Sequence, residues 1–249
     1  LGVGYVSGKT GDREYRESLK ALNTRSYSHV SPKVTSYEID LRQDGELIFV
    51  TAALELKNDS PEPLSTFLLT LNPGLTVTGV KAGRETLKFK RDNHLLYVSP
   101  SLPVPVNGAV RISIEYSGRI DERYCYLDIP GSQLEDAYRL WVYGIPKRYA
   151  FVNSHYLLLT PESGWYPVPG LAPGAAFPAP YKRNFSTFSL TVKTAKGMHV
   201  ISQGKPAEQT PDGEWVSFKP EKPLPQLSLT IGRYEKREVT VEGVTYALY

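Results

Sequence analysis

The sequence predicts an all-β protein: a large, curved, mostly antiparallel sheet or β-sandwich with smaller sheets packed on it, and one short N-terminal helix. Three observations carry this. The 249 residues include 20 prolines and 17 tyrosines; proline is excluded from helix interiors and central strands, whereas tyrosine suits a pleated, half-buried surface. From Tyr37 onward, apolar residues recur with a period of two, which puts them on one face of a strand. Turn formers then punctuate these runs at even spacing, the pattern of an antiparallel sandwich or large sheet. Hydrophobic residues make up 41% and charged residues 22% of the chain, an ordinary globular composition.

Taken in order, Asp12 to Arg25 carries a helical pattern, with Tyr15, Leu19 and Leu22 on one face and charges on the other. Asp12 is suited to cap it, because its carboxylate can accept from a free first-turn N–H. Residues 1–30 thus read as a linker with an amphipathic helix, which either packs on the β domain or leads in from a preceding membrane segment. Residues 31–249 read as the β domain. Tyr37, Ile39 and Leu41 lead into an Asp44-Gly45 turn, and Ile48, Val50, Ala52, Leu54 and Leu56 share one face of a strand over Leu47–Lys57. Asn58 to Pro63 breaks the chain. Further strands are predicted at Thr66–Leu71, Thr76–Ala82, Leu95–Val98 and Val110–Tyr116, separated by turns at Asn72-Pro-Gly74, Asp92-Asn93 and Asn107-Gly108. Asp121 to Pro180 is less regular, with strands at Leu140–Tyr143 and Tyr156–Leu159 and a long loop from Pro161 to Pro180. A loop of that length is usually functional or pinned against a partner. Strands resume at Phe185–Lys193, His199–Gln203, Glu214–Lys219, Leu227–Ile231 and Glu238–Leu248.

The chemistry is sparse. A net charge of +3, from 29 basic and 26 acidic residues, is spread along the chain and predicts no nucleic-acid partner, which would call for a concentrated basic stripe. The clusters Lys88-Phe89-Lys90-Arg91 and Lys147-Arg148-Tyr149 read as solvated strand ends or loops. Cys125 is the single cysteine, so it reads as a small buried hydrophobe and leaves an exported location open. The four histidines, His29, His94, His155 and His199, are too scattered to form a helical H-x-x-x-H zinc pair. There is no G-x-S-x-G, no P-loop and no dinucleotide fingerprint. Asn58-Asp-Ser60 and Asn184-Phe-Ser186 match the glycosylation pattern. No stretch approaches the roughly 18 apolar residues that would span a bilayer, and Leu1 to Gly8 lacks the charged start of a signal peptide. A start without Met and an end within a strand pattern predict a piece of a longer chain.

Several stretches, in order, resemble the N-terminal domain of aminopeptidase N-like (gluzincin) zinc metallopeptidases. Tyr37-Glu-Ile-Asp-Leu41 followed by Val50 to Asn58 is similar to the family's opening strand pair. Thr70-Leu-Asn-Pro-Gly-Leu-Thr-Val-Thr-Gly-Val80 and Ile112-Ser-Ile-Glu-Tyr-Ser-Gly-Arg-Ile120 resemble its next strands. Leu159 to Pro169, then Tyr181 to Val192, resemble its "F-P-C-x-D-x-P…K-x-x-F-x-x-x-V" passage, without the Cys and Asp. Leu227-Ser-Leu-Thr-Ile-Gly-Arg-Tyr234 is similar to its closing "F-x-x-G-x-Y". Trp165-Tyr-Pro167 with the preceding helix looks most like peptidase-like regions fused to bacterial ABC-transporter permeases.

The resemblance implies a saddle-like β domain that flanks and shapes the peptide cleft of a catalytic domain absent from this chain. The family's zinc motif H-E-x-x-H and its G-x-M-E-N motif do not occur here, so the chain is expected to hold no cofactor and to catalyse nothing itself. Zinc is expected in the catalytic domain, where it activates water and polarises the carbonyl. The implied partners are that downstream domain and the N-terminus of a peptide, with the membrane involved only through segments outside the chain. The implied place is the extracytoplasmic side of a bacterial membrane protein, or else solution. Glu162 is the nearest match to the family carboxylate that helps hold the substrate amine; read alone, it is a turn cap or a solvated side chain. Trp165 and Tyr166 read as anchors that pack the loop or face the neighbouring domain. Two other readings stay open: a β-sandwich that binds sugar or protein through the Trp165/Tyr166 loop, and a scaffold module of a transporter-associated membrane protein.

Overall fold

Where apolar and polar residues alternate, the chain forms two-faced strands, and the apolar faces meet in one core. The computed structural model describes residues 2–26, 31–127, 139–140, 145–146, 149–171, 185–210 and 214–248. Their order is α1 (Gly2–Arg25), β1 (Lys33–Asp44), β2 (Leu47–Lys57), β3 (Phe67–Thr70), β4 (Leu75–Ala82), β5 (Glu85–Thr86), β6 (Lys88–Asp92), β7 (Leu95–Ser99), β8 (Ala109–Gly118), β9 (Arg139–Leu140) and β10 (Ile145–Pro146). There follow β11 (Ala150–Val152), β12 (Tyr156–Leu159), β13 (Val168–Pro169), β14 (Thr187–Lys193), β15 (His199–Ser202), β16 (Pro206–Gln209), β17 (Trp215–Phe218), β18 (Leu229–Gly232), β19 (Arg237–Val241) and β20 (Val244–Leu248).

The largest sheet has eight strands in the order β16-β17-β14-β1-β2-β8-β4-β5. Its centre is the β1–β2 hairpin, in which Tyr37 faces Leu54, Ile39 faces Ala52 and Leu41 faces Val50, all buried on one side. Gly45 turns the hairpin at φ 60. On the other flank β14 runs parallel to β1, pairing Tyr37 with Phe188, Ile39 with Leu190 and Leu41 with Val192. This parallel pair makes the sheet mixed, although its other ladders are antiparallel.

Two four-stranded sheets complete the core. In β13-β3-β7-β6, Phe67, Leu69, Leu96 and Val98 join the apolar face of the large sheet. Leu68 and Leu95 point the other way, onto Leu22 of α1. The small sheet is thus packed between the large sheet and the helix, and this is why β3 is buried throughout and its sequence, F-L-L-T, does not alternate. In β11-β12-β18-β15, Leu157, Leu159, Leu229 and Ile231 enter the same core.

Some expectations are corrected here. The helix starts at Gly2, and Asp12 lies within it rather than at its cap; with no proline before Asp12, each added residue gains a helical hydrogen bond once the anchored turns exist. Lys88 to Arg91 belongs to a strand, β6, and Arg91 turns inward so that its Nη2 donates to the Leu71 and Asn72 carbonyls at 2.8 Å each. Glu238–Leu248 is a hairpin rather than one strand, with Glu242 and Gly243 at φ 50 and 78 in the turn. In the middle of the chain, Arg139–Leu140 is a strand, while Tyr143, Lys147 and Arg148, the Pro161–Pro180 loop beyond Leu171, and Asn184 lie outside the described residues. No helix among the described residues is long and apolar enough to cross a membrane.

The helix is seated by polar as well as apolar contacts. Leu19 packs on Tyr124 and Leu127, and the Ser26 hydroxyl lies 2.8 Å from that of Tyr97. His94, buried on the β6–β7 turn, donates from Nε2 to Asn23 Oδ1 at 2.7 Å. Burial, followed by the nearby Arg91 charge, lowers the His94 pKa from 6.5 to about 3. Between those two values an unfolded chain binds a proton that the folded chain excludes. Stability from this group is therefore present above 6.5 and lost as pH falls toward 3. We expect the urea midpoint to drop from pH 7 to pH 4 in the wild type, and His94→Gln to show a shallower drop over the same range. Equal slopes in the two proteins would contradict the assignment.

Candidate functional site

Glu162 sits on a short segment whose backbone is hydrogen-bonded on both sides of it. After β12, the Thr160 N–H and hydroxyl both donate to the Tyr149 carbonyl, at 3.1 and 2.9 Å. Pro161 opens a 3-10 turn, Pro161–Ser163, with its φ already set, and the Ser163 hydroxyl donates back to the Thr160 carbonyl at 2.7 Å. Gly164 closes the turn at φ 61, where a Cβ would lie 2.7 Å from the Tyr124 ring. Ser163 and Gly164 are buried, while Glu162 is exposed to solvent.

The segment is held from beneath by Asn72, which is 0% exposed. Its amide nitrogen donates to the Ser163 carbonyl at 2.8 Å and the Asp121 carbonyl at 3.1 Å. Its amide oxygen accepts from the Gly74 and Asp121 N–H groups at 2.9 Å each. Its backbone N–H donates to the Gly164 carbonyl at 2.8 Å. Every donor and acceptor position of the side-chain amide is therefore used. Gly74, beside it, allows a close backbone approach: a Cβ there would lie 2.0 Å from the Arg119 carbonyl oxygen. Asp121 is braced in turn by Arg123, whose Nε and Nη2 donate to its two carboxylate oxygens at 2.9 and 2.8 Å. Burial pulls the Asp121 carboxyl upward, but those bonds and the guanidinium charge hold it below its usual value.

Trp165 and Tyr166 are 0% and 3% exposed. Both rings pack against other side chains of this chain. Tyr166 meets the ring of Tyr37 edge-on at 5.4 Å, and Tyr37 stacks on Phe188 at 4.8 Å across the parallel β1–β14 pair. Trp165 packs edge-on against Tyr166 at 4.8 Å. The Tyr116 hydroxyl donates to the Trp165 carbonyl, and the Tyr166 hydroxyl accepts from the Leu227 N–H, both at 3.1 Å. Burial raises the Tyr166 pKa to about 12, so it stays a neutral hydroxyl. Among the described residues of the loop, the Glu162 carboxylate is exposed, whereas the Trp165 and Tyr166 rings are buried and present no aromatic platform.

The remaining candidate residues do not gather. His94 is buried under α1, His155 is exposed with Nδ1 2.9 Å from the Ser154 hydroxyl, and His199 is exposed on β15; His29 lies outside the described residues. Cys125 is buried, and burial followed by Glu122 and Asp121 pushes its thiol up, which keeps it protonated. No three His, Cys, Asp or Glu side chains among the described residues are grouped to hold a metal ion, so these residues do not fit a zinc site. A shallow depression of about 450 Å³ lies on the outer face of the large sheet, lined by Asp40, Arg42, Phe49, Glu115, Lys193 and Trp215 among others. It is on the opposite face from Trp165, because Phe49 and Glu115 alternate with the inward Val50 and Tyr116.

Sequence reasoning did not single out Asn72. The available signal was the Asn-Pro-Gly turn itself, since an asparagine opening a turn often bonds the backbone two residues on, as it does here to Gly74. We expect Asn72→Ala to cost about 2–4 kcal/mol, because several buried polar groups lose their partners. Asn72→Asp, which cannot donate to the Ser163 and Asp121 carbonyls, should be at least as damaging. Denaturant unfolding checks both, and a loss under about 0.5 kcal/mol, the size of an ordinary surface change, would contradict the role. Gly164→Ala should destabilise by about 1–3 kcal/mol, whereas Glu162→Gln should leave the midpoint unchanged.

No protein-family model and no curated protein sequence matches the chain. Among solved structures it is similar to the M1 zinc metallopeptidase of Deinococcus radiodurans, with a TM-score of 0.62 and 16% identity over 85% of this chain and 44% of the other. A variant of that peptidase bound to a Tyr-Ser-Ala substrate gives a TM-score of 0.61 and 18% identity over 87% of this chain and 46% of its own. A variant described as a two-domain M1 zinc metallopeptidase, bound to L-tryptophan, gives 0.62 and 18% over 88% and 47%. The chain spans less than half the length of these proteins, and the likeness is one of fold: an all-β arrangement shared with part of an M1 zinc metallopeptidase.

Proposed function

We propose that this chain is the non-catalytic N-terminal domain of an aminopeptidase N-like zinc peptidase, flanking and shaping the peptide cleft of a catalytic domain that lies outside it. The observation that supports this reading is the fold likeness, in which 87% of the chain corresponds to 46% of a peptide-bound M1 zinc metallopeptidase. The motif order in the sequence, from Tyr37-Glu-Ile-Asp-Leu41 to Leu227–Tyr234, points the same way. Zinc and its ligands belong to the catalytic domain, where the metal supplies an activated water and a polarised carbonyl. Fusion to a transporter permease and an extracytoplasmic location are the finer part of the same reading.

This chain's own contribution is positional. Glu162 presents a carboxylate from a turn whose backbone is fixed by Asn72, Tyr149 and the buried Trp165. A peptide ammonium that reaches it would form a charge-assisted hydrogen bond. Because the turn is already ordered, little conformational freedom is lost on binding.

The test uses the polypeptide translated through the natural reading frame beyond residue 249. It should hydrolyse an amino-acid 4-nitroanilide in a zinc-dependent manner, while residues 1–249 alone should not. Glu162→Gln should raise KM about tenfold, the equivalent of about 1.4 kcal/mol, with little change in kcat. Lack of both bound zinc and hydrolysis in the intact polypeptide would overturn the peptidase reading. Unchanged KM in an active enzyme would overturn only the role of Glu162.

A further inference from the structure

The outer face of the large sheet carries an ordered set of side chains. The depression of about 450 Å³ there falls within the size range of small-ligand sites. Strand register places its lining in two rows, since residues paired across a ladder share a face. The first row runs Trp215, Lys193, Arg42, Phe49 across β17, β14, β1 and β2, each paired with the next. Its ends are three strand spacings apart, about 14 Å. The second row lies two residues along each strand, about 7 Å away, and runs Thr191, Asp40, Thr51, Glu115 across β14, β1, β2 and β8. A basic row closed at both ends by aromatic rings therefore lies beside a row of carboxylates and hydroxyls. These charges are only partly paired. The Arg42 guanidinium lies 4.2 Å over the Phe49 ring and meets Asp44 at 3.2 Å in an exposed pair, which contributes little and is readily exchanged. Glu115 is answered by Lys81 at 3.0 Å. Lys193 and Asp40 form no ion pair among the described residues.

We propose that this depression binds an oligosaccharide that carries a carboxylate, a chain of uronic-acid units. Arg42 and Lys193 take the carboxylate in charge-assisted hydrogen bonds, Trp215 packs on the face of a ring, and Asp40, Thr51 and Thr191 exchange hydrogen bonds with the sugar hydroxyls. The surroundings select a sugar over other anions. Every strand beneath the site is paired on both edges, so no backbone N–H or C=O is free to take an extended peptide by strand addition. What faces outward is hydroxyl, amine and carboxylate, the groups that match sugar hydroxyls. A nucleic acid would bring successive phosphates against Asp40 and Glu115, and juxtaposed like charges oppose binding. The length of the basic row suits a short oligosaccharide rather than a single ring. The site lies on the opposite face from Trp165 and does not depend on the peptidase reading.

Calorimetric titration of residues 1–249 with trigalacturonate and trimannuronate at low salt tests this, with neutral galactotriose and the peptide acetyl-Asp-Glu-Asp-amide as comparisons. At least one uronic-acid trimer should bind, about tenfold more tightly than galactotriose, and should weaken as salt is added. Arg42→Gln, Lys193→Gln and Trp215→Ala should each weaken it about tenfold, the size expected for losing a charged hydrogen bond or a ring contact. Lys193 and Arg42 are exposed, so their variants should keep the urea midpoint of the wild type and keep the test decisive if Trp215→Ala disturbs β17. Failure of both trimers to bind would overturn the proposal, as would equal affinity for galactotriose. Affinity that survives both Arg42→Gln and Lys193→Gln would place the sugar elsewhere and overturn it too. Tighter binding of the acidic peptide, lost with the same substitutions, would overturn it in favour of a peptide site.

Discussion

The side-chain amide of Asn72 is where separate parts of this protein are joined. Its two N–H groups and both lone pairs are spent on the Ser163 carbonyl, the Asp121 backbone and the Gly74 N–H. Arg91 reaches the carbonyl of the same residue from β6. Such a junction is stable only when complete, because each polar group left unpaired in a buried place costs more than a formed hydrogen bond gains. The corner between β3 and β4, the Asp121 turn and the Glu162 turn are thereby made interdependent. The helix enters the same network through Arg123, whose guanidinium lies 4.1 Å over the Tyr15 ring and 3.6 Å from the Asp12 carboxylate.

The aromatic cluster serves the same end by other means. Phe188 and Tyr37 meet because β14 lies parallel to β1; their stacked rings give Tyr166 a surface to pack on, and Trp165 packs in turn on Tyr166. One end of the Glu162 segment is therefore fixed by hydrogen bonds and the other by buried aromatic area. The exposed Glu162 carboxylate lies between these two anchored ends. A loop of this kind can be polar at its tip because its flanks are part of the core.

Much of the sheet was legible in the sequence. The alternation in β1 and β2 pointed to the correct faces, and Tyr156–Leu159 was placed to the residue because an apolar run there sits between turn formers. β6 was hidden by its charges: Lys88, Lys90 and Arg91 look solvated, and only the fold shows that Arg91 answers two buried carbonyls. The turn of the last hairpin was hidden because glutamate is an uncommon residue at positive φ. Glu162, Trp165 and Tyr166 were all marked as candidates, but whether the aromatics faced inward could not be read from composition. Asn72 was passed over because its partners lie 49 and 91 residues away along the chain, a distance at which local pattern carries no information.

Under the proposed function, the turn held by Asn72 offers the Glu162 carboxylate to a peptide amine. The most direct test is a crystal structure of the polypeptide extended through its natural reading frame, with a short free-amine peptide bound. The expected result is that Ser163 and Gly164 keep their bonds to Asn72 and that a Glu162 carboxylate oxygen lies within about 3 Å of the peptide nitrogen, the range of a charge-assisted hydrogen bond. A peptide held in a cleft that this turn does not line, with Glu162 facing water, would contradict it.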